Sequence, residues 1–507
     1  SSRNDKKHGK TIFFFMLFTL SVFGISSFLL IPPDFQECES GKNDSKCACP
    51  AEEKYIGKRN IIFVDVTDPL AAGKVKDVER IVVQVPYRDR ARPWLEIMVA
   101  EWAIVEICRV TCNVPGIVGY GETVLYYSWE SVTDSAVARV IGQNPVSLLS
   151  DDSLGAGLQM ALYDLVGKAL EVPMHNLLTS APVRERCPIS WWSTKMPPHV
   201  LAEEAKEAYK EGYLSHKFKA RPWFDVREQV KAIASVTPEN YRLDIDWNEM
   251  LLSPGEAVPL LQELDKEPRI GIYEDPIFRT DVAGQKFVRN KVSHPVATHF
   301  EIKMFPTWMR EDALDGFVVN TGGVTRFLKE GQLCAAFDKN FWLQIVGTGI
   351  TTAYTLQLGA VLTHARWPAV TAMNIYADDM ITDPLKIQYG LAEVPTGYGL
   401  GVTVDEDAID KYRMKPPYKA NLPRKILIFS LPSGQSYQFA GVNHLWRDMW
   451  MNGTLPQQSK GTNLEMWDDD GSPEFAKAYQ KAESTALGKG EAILAHLLPD
   501  EEIIEGQ

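Results

Sequence analysis

The sequence predicts an α/β protein whose main body is a parallel β/α barrel. Short apolar runs alternate with amphipathic helical stretches through the middle of the chain, which is the pattern of repeated βα units. Eight runs with seven helical stretches between them indicate a barrel, although an open doubly wound sheet remains the alternative. The eight predicted strands are residues 188–192, 215–219, 241–246, 270–274, 296–300, 316–320, 342–346 and 370–374.

Polar residues recur where these strands end. They are, in chain order, Lys217 and Lys219, Asp246 and Asn248, Glu274, and His299. Successive strands contribute such a residue every 25 to 28 positions, about the length of one βα unit. Because the carboxyl ends of barrel strands gather at one face, where the active sites of such barrels lie, we expect these side chains to share one pocket.

The residue types in this set indicate metal-assisted removal of a proton. Carboxylate oxygens such as those of Asp246 and Glu274 suit Mg²⁺, which keeps open positions for a substrate. A metal there would hold a substrate carboxylate and stabilise the negative charge that forms when its α-proton leaves. Lys217 and Lys219 share one face of their strand, and a lysine beside a second cation can act as the base.

Further motifs stand in order on both sides of this set. They are Gly119-Tyr120-Gly121-Glu122, residues 161–168, Pro173, Leu177-Leu178, Gly322-Gly323-Val324 and Gly397-Tyr398-Gly399-Leu400-Gly401. With the lysine-x-lysine, Asp-x-Asn and Glu-Asp-Pro spellings, this order resembles the mandelate racemase and muconate-lactonizing branch of the enolase superfamily, over roughly residues 60–412. The resemblance implies a (β/α)7β-type modified TIM barrel with an N-terminal α+β capping domain over its mouth.

The same resemblance implies roles for the strand-end residues. Lys219 would be the base, and Lys217 its partner, which contacts the substrate carboxylate. Asp246 and Glu274 would be the first two Mg²⁺ ligands. Asn248, two positions after Asp246, would contact the substrate.

The third metal ligand departs from the pattern of the resembled family. That family normally has a Glu or Asp in the segment that here reads Pro295-Val296-Ala297-Thr298-His299-Phe300-Glu301. We expect His299 to be the ligand, with Glu301 as the alternative on the same face. The Pro-x-Ala-Thr spelling is similar to that of glucarate dehydratases. A histidine ligand gives Mn²⁺ more weight as an alternative to Mg²⁺.

A second base, which racemases of the resembled family carry, is not visible. Asn320 stands where the muconate-lactonizing type has a second lysine, and we expect it to contact the substrate instead. The resemblance then favours a one-base elimination by Lys219, most simply the dehydration of an acid sugar. The alternatives are a racemase or epimerase, a cycloisomerase, and a non-catalytic ligand-binding barrel at the cell surface.

The N-terminus predicts export. Four cationic residues within residues 3–10 precede 21 uncharged residues, 11–31, which as a helix would span about 30 Å, enough to cross a bilayer. We therefore expect residues 1–33 to be a signal or, preferably, a membrane anchor, with the rest of the chain secreted or displayed across the membrane. Residues 34–59 read as a linker.

Composition and charge set the remaining expectations. The 507 residues are 45% hydrophobic and 23% charged, as in a globular protein, and the net charge of −13 argues against a nucleic-acid partner. We place the capping domain at 60–183, the barrel at 184–412 and a C-terminal extension without family resemblance at 413–507. Arg88 and Arg90, in a capping loop near 86–93, are expected to meet an anionic substrate, and homo-oligomer formation stays open.

Overall fold

The computed structural model describes residues 73–127, 131–320, 322–446, 449 and 457–485. The predicted signal or anchor at 1–33 and the predicted linker at 34–59 lie outside these residues. Among the residues described, no helix is both long and apolar enough to cross a membrane. Export and membrane attachment therefore stay predictions from the sequence.

The first folded region is an antiparallel sheet with helices around it. Its three strands, adjacent in chain order, are β1 (Val75–Gln84), β2 (Ile104–Cys112) and β3 (Val118–Val124). Its helices are α1 (Arg92–Met98), α2 (Asp134–Val140), α3 (Ala156–Ala169) and α4 (His175–Leu178). Helix α3 approaches β3 closely, because a Cβ atom at Gly121 would lie only 1.9 Å from the Gly157 carbonyl oxygen. The glycines of the Gly-Tyr-Gly-Glu motif therefore serve packing.

Asp164 of α3 joins three parts of this region. Its buried carboxylate accepts hydrogen bonds from the Tyr120 amide (2.9 Å), the Leu400 amide (2.8 Å) and the Lys168 ammonium (2.6 Å). These donors come from β3, from the glycine-rich segment 397–401 and from α3 itself. Three of the motifs that carry the family resemblance are thus held by one side chain.

A parallel sheet follows the capping region and curls around the core. Its strands are β4 (Arg186–Ser193), β5 (Ser215–Lys219), β6 (Arg242–Asp246), β7 (Ile270–Glu274), β8 (Val296–His299), β9 (Gly316–Val319), β10 (Asn340–Leu343) and β11 (Ala369–Val370). Strands β4 to β10 pair in chain order. All five residues of β5 are buried, because both faces of a parallel sheet are covered. Of the predicted β/α barrel, the α/β class and a curled parallel sheet are confirmed.

Strand β11 meets both edges of this sheet. It pairs in parallel with β4, and Val370 also forms a parallel bridge with Gln344, just beyond β10. On the other side of β4 lies an antiparallel hairpin of β12 (Ile387–Gln388) and β13 (Leu391–Glu393). The two edges of the curled sheet are therefore brought together by one short strand.

One helix follows each strand from β4 to β10. The helices are α5 (Pro198–Lys210), α6 (Val226–Ala234), α7 (Pro254–Leu264), α8 (Val282–Arg289), α9 (Phe305–Glu311), α10 (Val324–Ala336) and α11 (Gly349–Gly359), and α12 (Glu406–Tyr412) comes later. Polar side chains cap several of them where they leave the sheet: Asp225 caps α6, Asp281 caps α8 and Thr348 caps α11. Such caps satisfy amides that a helix leaves unpaired at its start.

Two predicted strands end more than two residues away from the observed ones. The strand predicted at 342–346 begins earlier, as β10, and the strand predicted at 370–374 ends after Val370. Ala372 has φ of +53°, which a strand cannot accommodate, and a 3₁₀ helix follows at Met373–Ile375. Apolar residues that are buried both in a strand and in a bend show no periodicity by which the sequence could distinguish the two conformations.

The C-terminal extension is a second antiparallel sheet. Its strands β14 (Lys425–Ser430), β15 (Ser436–Phe439) and β16 (Asn463–Asp468) are arranged with β14 in the middle, accompanied by α13 (Val442–Trp446) and α14 (Pro473–Thr485). Leu427, Phe429 and Leu464 are fully buried and continuous with the main hydrophobic core. The described part of the extension therefore shares the core of the barrel.

The burial of Glu330 in α10 leads to a prediction about how stability depends on pH. Its side chain is buried, with Arg326 Nε at 2.8 Å from one oxygen, and burial raises its pKa from 4.5 to about 7 in spite of that guanidinium. The folded state therefore holds the proton more tightly than the unfolded state, and stability falls as the pH rises from about 4.5 to about 7. Between pH 5 and pH 8, the free energy of unfolding of Glu330→Gln is expected to fall by about 2–3 kcal/mol less than that of the wild type. Urea midpoints of both proteins at pH 5 and pH 8 would show it, and a difference that does not grow with pH would contradict it.

Candidate active site

Lys217 lies inside the sheet among acidic side chains. Its Nζ atom is 2.5 Å from Glu274 Oε2 and 3.3 Å from Asp246 Oδ2, and it donates to Gln344 Oε1 at 2.5 Å. The ammonium also lies 5.3 Å from the centre of the Trp342 ring. Because the side chain is fully buried, the carboxylates compensate a charge that water does not reach.

Lys219 is the next residue on the same face and lies nearer the surface. Its Nζ atom is 2.8 Å from Asp246 Oδ2 and 3.1 Å from Asn248 Oδ1. Asp246 Oδ1 accepts the Asn248 amide at 3.0 Å, which holds the turn after β6. The structure thus brings the two lysines, Asp246 and Asn248 together as predicted, while their roles stay predictions.

Glu274 and His299 meet beside the lysines. His299 Nε2 lies 3.4 Å from Glu274 Oε1 and 3.7 Å from Asp275 Oδ2. One ligand atom each from Glu274, Asp275 and His299 lies within 4.8 Å of the others, a spacing that suits one metal ion. Glu301 is not in this group, and its carbonyl accepts the Met304 and Phe305 amides at the start of α9.

The donor set fits a divalent cation. Carboxylate oxygens suit Mg²⁺ and Mn²⁺, and an imidazole nitrogen adds preference for the softer ion. Asp275 is a donor that the sequence reasoning did not name, although it stands in the Glu-Asp-Pro motif. Its carboxylate is also fixed by Arg279 Nη2 at 2.9 Å and by the Thr298 hydroxyl.

Burial and crowding shift the pKa values of this cluster. Burial first, and then the charge of Asp246, raise the pKa of Glu274. Burial first, and then the charge of Glu274, raise the pKa of Asp244, which lies two residues before Asp246 on β6. Burial would lower the pKa of Lys217, but Glu274, Asp246 and Asp244 hold it above its usual range. The carboxylates of Asp244, Asp246 and Glu274 therefore repel one another, and a bound cation would relieve this repulsion.

The capping region covers one side of the site. Gln344, which accepts from Lys217, also donates to the Tyr127 hydroxyl at 3.5 Å. The Tyr127 ring lies 4.3 Å from the Trp102 ring, and the Trp102 ring 4.9 Å from that of Trp192. Sequence reasoning missed Gln344, Tyr127 and Trp102, because only folding brings the capping segment over the sheet.

Glu122 attaches the capping region to the rim of the site. Its buried carboxylate accepts the Thr348 amide (2.7 Å), the Thr348 hydroxyl (2.8 Å) and the Thr351 amide (3.1 Å) at the start of α11. A carboxylate at a helix N-terminus satisfies unpaired amides and interacts favourably with the helix dipole. The last residue of the Gly-Tyr-Gly-Glu motif therefore has a structural role.

Arg88 and Arg90 contact helix α5. Arg88 Nη1 lies 2.5 Å from Glu211 Oε1, and Arg90 Nε lies 2.5 Å from Glu204 Oε1. Glu204 is almost fully buried. Their predicted contact with an anionic substrate would require these ion pairs to open, and it stays a prediction.

The side of the site across from the lysines carries amides. Asn320 lies directly after β9 and is partly buried, and Gln344 lies directly after β10. Neither side chain titrates. Among the described residues at these two strand ends, no second base faces Lys219.

His299 gives the site a test that needs no substrate. His299→Ala is expected to weaken Mn²⁺ binding roughly tenfold or more, because it removes one of three converging donors. Glu301→Ala is the matched control and is expected to leave the affinity unchanged. Isothermal titration of the full chain with Mn²⁺ and with Mg²⁺ measures both. A loss of affinity in Glu301→Ala alone would make Glu301 the ligand.

Comparison with known proteins agrees with this arrangement. The model of the family "Enolase C-terminal domain-like" matches residues 200–408. D-gluconate dehydratase of Thermoproteus tenax is 25% identical over 68% of this chain and 74% of its own length. D-xylonate dehydratase of Haloferax volcanii is 23% identical over 73% of this chain and 97% of its own length.

A solved structure shows the same fold. The crystal structure of 2-chloromuconate cycloisomerase from Rhodococcus opacus 1CP superposes with a TM-score of 0.56 at 23% identity, covering 67% of this chain and 99% of that one. The matched family, the order of strands and the site at their carboxyl ends agree with one another. Residues 200–408 therefore match the enolase C-terminal domain-like family, and the chain shares its fold with muconate cycloisomerases and with N-succinyl Arg/Lys racemase.

Proposed function

We propose that this protein dehydrates an acid sugar, by removing the α-proton of a carboxylate substrate and expelling the β-hydroxyl group. The observation that carries the proposal is the one-sided site: Lys219 lies at the carboxyl end of β5, and amides stand across from it. Relatives named as gluconate and xylonate dehydratases support the same reaction class.

A single lysine is sufficient for this reaction. The neutral amine of Lys219 would take the α-proton, leaving an enediolate, and the resulting ammonium would return a proton to the β-hydroxyl as the C–O bond breaks. Water leaves, and the enol product rearranges to a 2-keto-3-deoxy acid. Racemisation through two bases would need a second acid on the opposite face, where Asn320 and Gln344 lie.

The remaining residues bind and orient the substrate. A divalent metal held by the acidic and histidine donors would supply positive charge for the enediolate. Lys217 would contact the substrate carboxylate, and Asn248 and Asn320 would bind its hydroxyl groups. Whether the resident ion is Mg²⁺ or Mn²⁺ belongs to this proposal, and we favour Mg²⁺ with Mn²⁺ as the alternative.

The test is a proton NMR survey in D₂O. The protein from residue 36 onward is incubated with Mg²⁺ or Mn²⁺ and a panel of acid sugars, and the α-proton signal is followed. Loss of that signal together with a 2-keto-3-deoxy product supports the proposal. Exchange of the α-proton without elimination would replace it with a racemase or epimerase.

Absence of reaction across a broad panel would favour the binding-barrel alternative. In that case, a bound acid sugar would be detected by titration calorimetry without any chemical change. Export and assembly into homo-oligomers are separate expectations that this test does not address.

A further inference from the structure

The C-terminal extension lies against a loop of the candidate active site. That loop, residues 220–225, joins β5 to α6 directly after Lys219, and each of its residues is buried. The part of the extension that contacts it is residues 457–462, which we name the clamp segment. The described residues of the extension meet the loop through backbone and carboxylate contacts of the clamp segment and through an aromatic contact of Trp446.

Three hydrogen bonds join the clamp segment to the loop. The Gln458 amide donates to the Pro222 carbonyl at 2.9 Å, and the Asp225 amide donates to the Thr462 carbonyl at 3.3 Å. The Gly461 amide donates to Asp225 Oδ2 at 2.8 Å. The other oxygen of Asp225 caps α6 by accepting the Arg227 amide at 3.1 Å. One carboxylate therefore joins the extension, the loop and the helix.

Aromatic side chains strengthen this contact. The Trp223 ring in the loop is fully buried and meets the Trp446 ring of the extension edge to face, 5.9 Å between centres. Phe224 meets Trp94 of the capping helix α1 at 6.1 Å. The loop is therefore packed between the extension and the capping region.

Arg221 is the residue that this packing brings to the site. It is fully buried, and its Nη2 atom donates to Asn248 Oδ1 at 2.6 Å, while Nη1 donates to its neighbour's carbonyl and to the Asp246 carbonyl at 3.3 Å. Lys219 donates to the same Asn248 oxygen. The guanidinium thereby fixes which atom of the Asn248 amide faces Lys219.

We infer that the C-terminal extension is part of the active-site wall, and that it acts by clamping the 220–225 loop so that Arg221 holds Asn248 in register with Lys219. Arg221 is thus a positioning residue, since it is buried behind Asn248. The reason is geometric: a shift of about 1 Å in a proton-transfer group can cost about a hundredfold in rate. The kinetic part of this inference rests on the proposed function, whereas the clamp itself does not.

Asp225→Asn tests the clamp in the full chain. Asparagine still caps a helix, but its amide nitrogen cannot accept the Gly461 hydrogen bond. Hydrogen exchange of residues 220–225 and of the turn at 247–250 is expected to be about tenfold faster than in the wild type. Asp281→Asn, which alters the cap of α8 and touches no part of the extension, is the matched control. Unchanged exchange in Asp225→Asn would overturn the clamp whether or not a substrate is known.

Arg221→Gln tests the path from the clamp to the site. It is expected to speed exchange at residues 247–250 while leaving the contact of the clamp segment with the loop protected. With a substrate from the acid-sugar survey, kcat is expected to fall about tenfold with KM within about twofold. The double variant with Asp225→Asn is expected to fall no further, because both changes act through Asn248. Additive losses, or a KM effect alone, would overturn the positioning role. A survey without any reaction would remove the proposed function, and unchanged exchange at 247–250 would then remove the role of Arg221 by itself.

Discussion

Lys219→Ala is expected to lower the rate of α-proton removal by roughly a thousandfold or more. General-base catalysis by a positioned side chain contributes about 10²- to 10⁴-fold, and the described strand ends across the site offer no replacement base. The side chain is nearly buried against Asp246, so alanine leaves a small space that water can enter. The measurement is the loss of the α-proton signal in D₂O, at saturating metal and substrate.

Two controls test whether the loss of activity in Lys219→Ala is specific to the missing base. Metal binding by Lys219→Ala should remain, since Glu274, Asp275 and His299 are untouched. Lys210→Ala, an exposed lysine on helix α5, should leave the rate unchanged. If Lys219→Ala keeps more than a tenth of the activity, another group is the base, and Lys217 would be the next candidate.

Asp164→Ala is expected to lower the free energy of unfolding by about 3–5 kcal/mol. The substitution leaves the buried amides of Tyr120 and Leu400 without an acceptor and removes the partner of Lys168. Unsatisfied buried groups cost about 1–3 kcal/mol each, and breaking a buried ion pair costs about 3–5 kcal/mol. Lys168 is partly exposed and can be hydrated, which keeps the sum near the lower figures.

Urea unfolding followed by tryptophan fluorescence would measure this loss. Asp134→Ala is the matched control, because its ion pair with Arg80 lies at the surface and is worth less than about 1 kcal/mol. Asp164→Asn should be intermediate, since it keeps one acceptor. Equal midpoints for Asp164→Ala and Asp134→Ala would show that the motifs are held by other contacts.

The local sequence pattern was sufficient for the strands that carry the site. Strands β5 and β7 have the predicted bounds. In β7 an apolar run ends at Glu274, whereas β5 was located by its place in the repeat and by the alternation of Lys217 and Lys219. The same alternation that marks Lys217 and Lys219 reaches Arg221, so this residue had a signal in the sequence. It was missed because the alternation alone does not say whether a cation points to the pocket or is buried behind it.

The local sequence pattern could not predict contacts between residues that are distant in the chain. The guanidinium of Arg88 donates to Glu211, 123 positions away in the chain, and Lys217 donates to Gln344, 127 positions away. An arginine in a loop has the same local appearance whether it meets a substrate or a carboxylate of its own chain. The bend at Ala372 is likewise followed by a distant contact, because the Ile375 carbonyl accepts the Arg88 amide of the capping region at 2.9 Å.

The sequence by itself therefore determined the class of fold and the face on which Lys219, Asp246 and Glu274 gather, because these depend on periodicity and on the spacing of βα units. Only the tertiary structure decided that Asp275 joins His299, that Glu122 and Asp164 are anchors, and that the extension reaches the site. The physical reason is that each of these roles is a hydrogen bond, an ion pair or a metal-suited spacing, and its geometry exists only after the chain has folded.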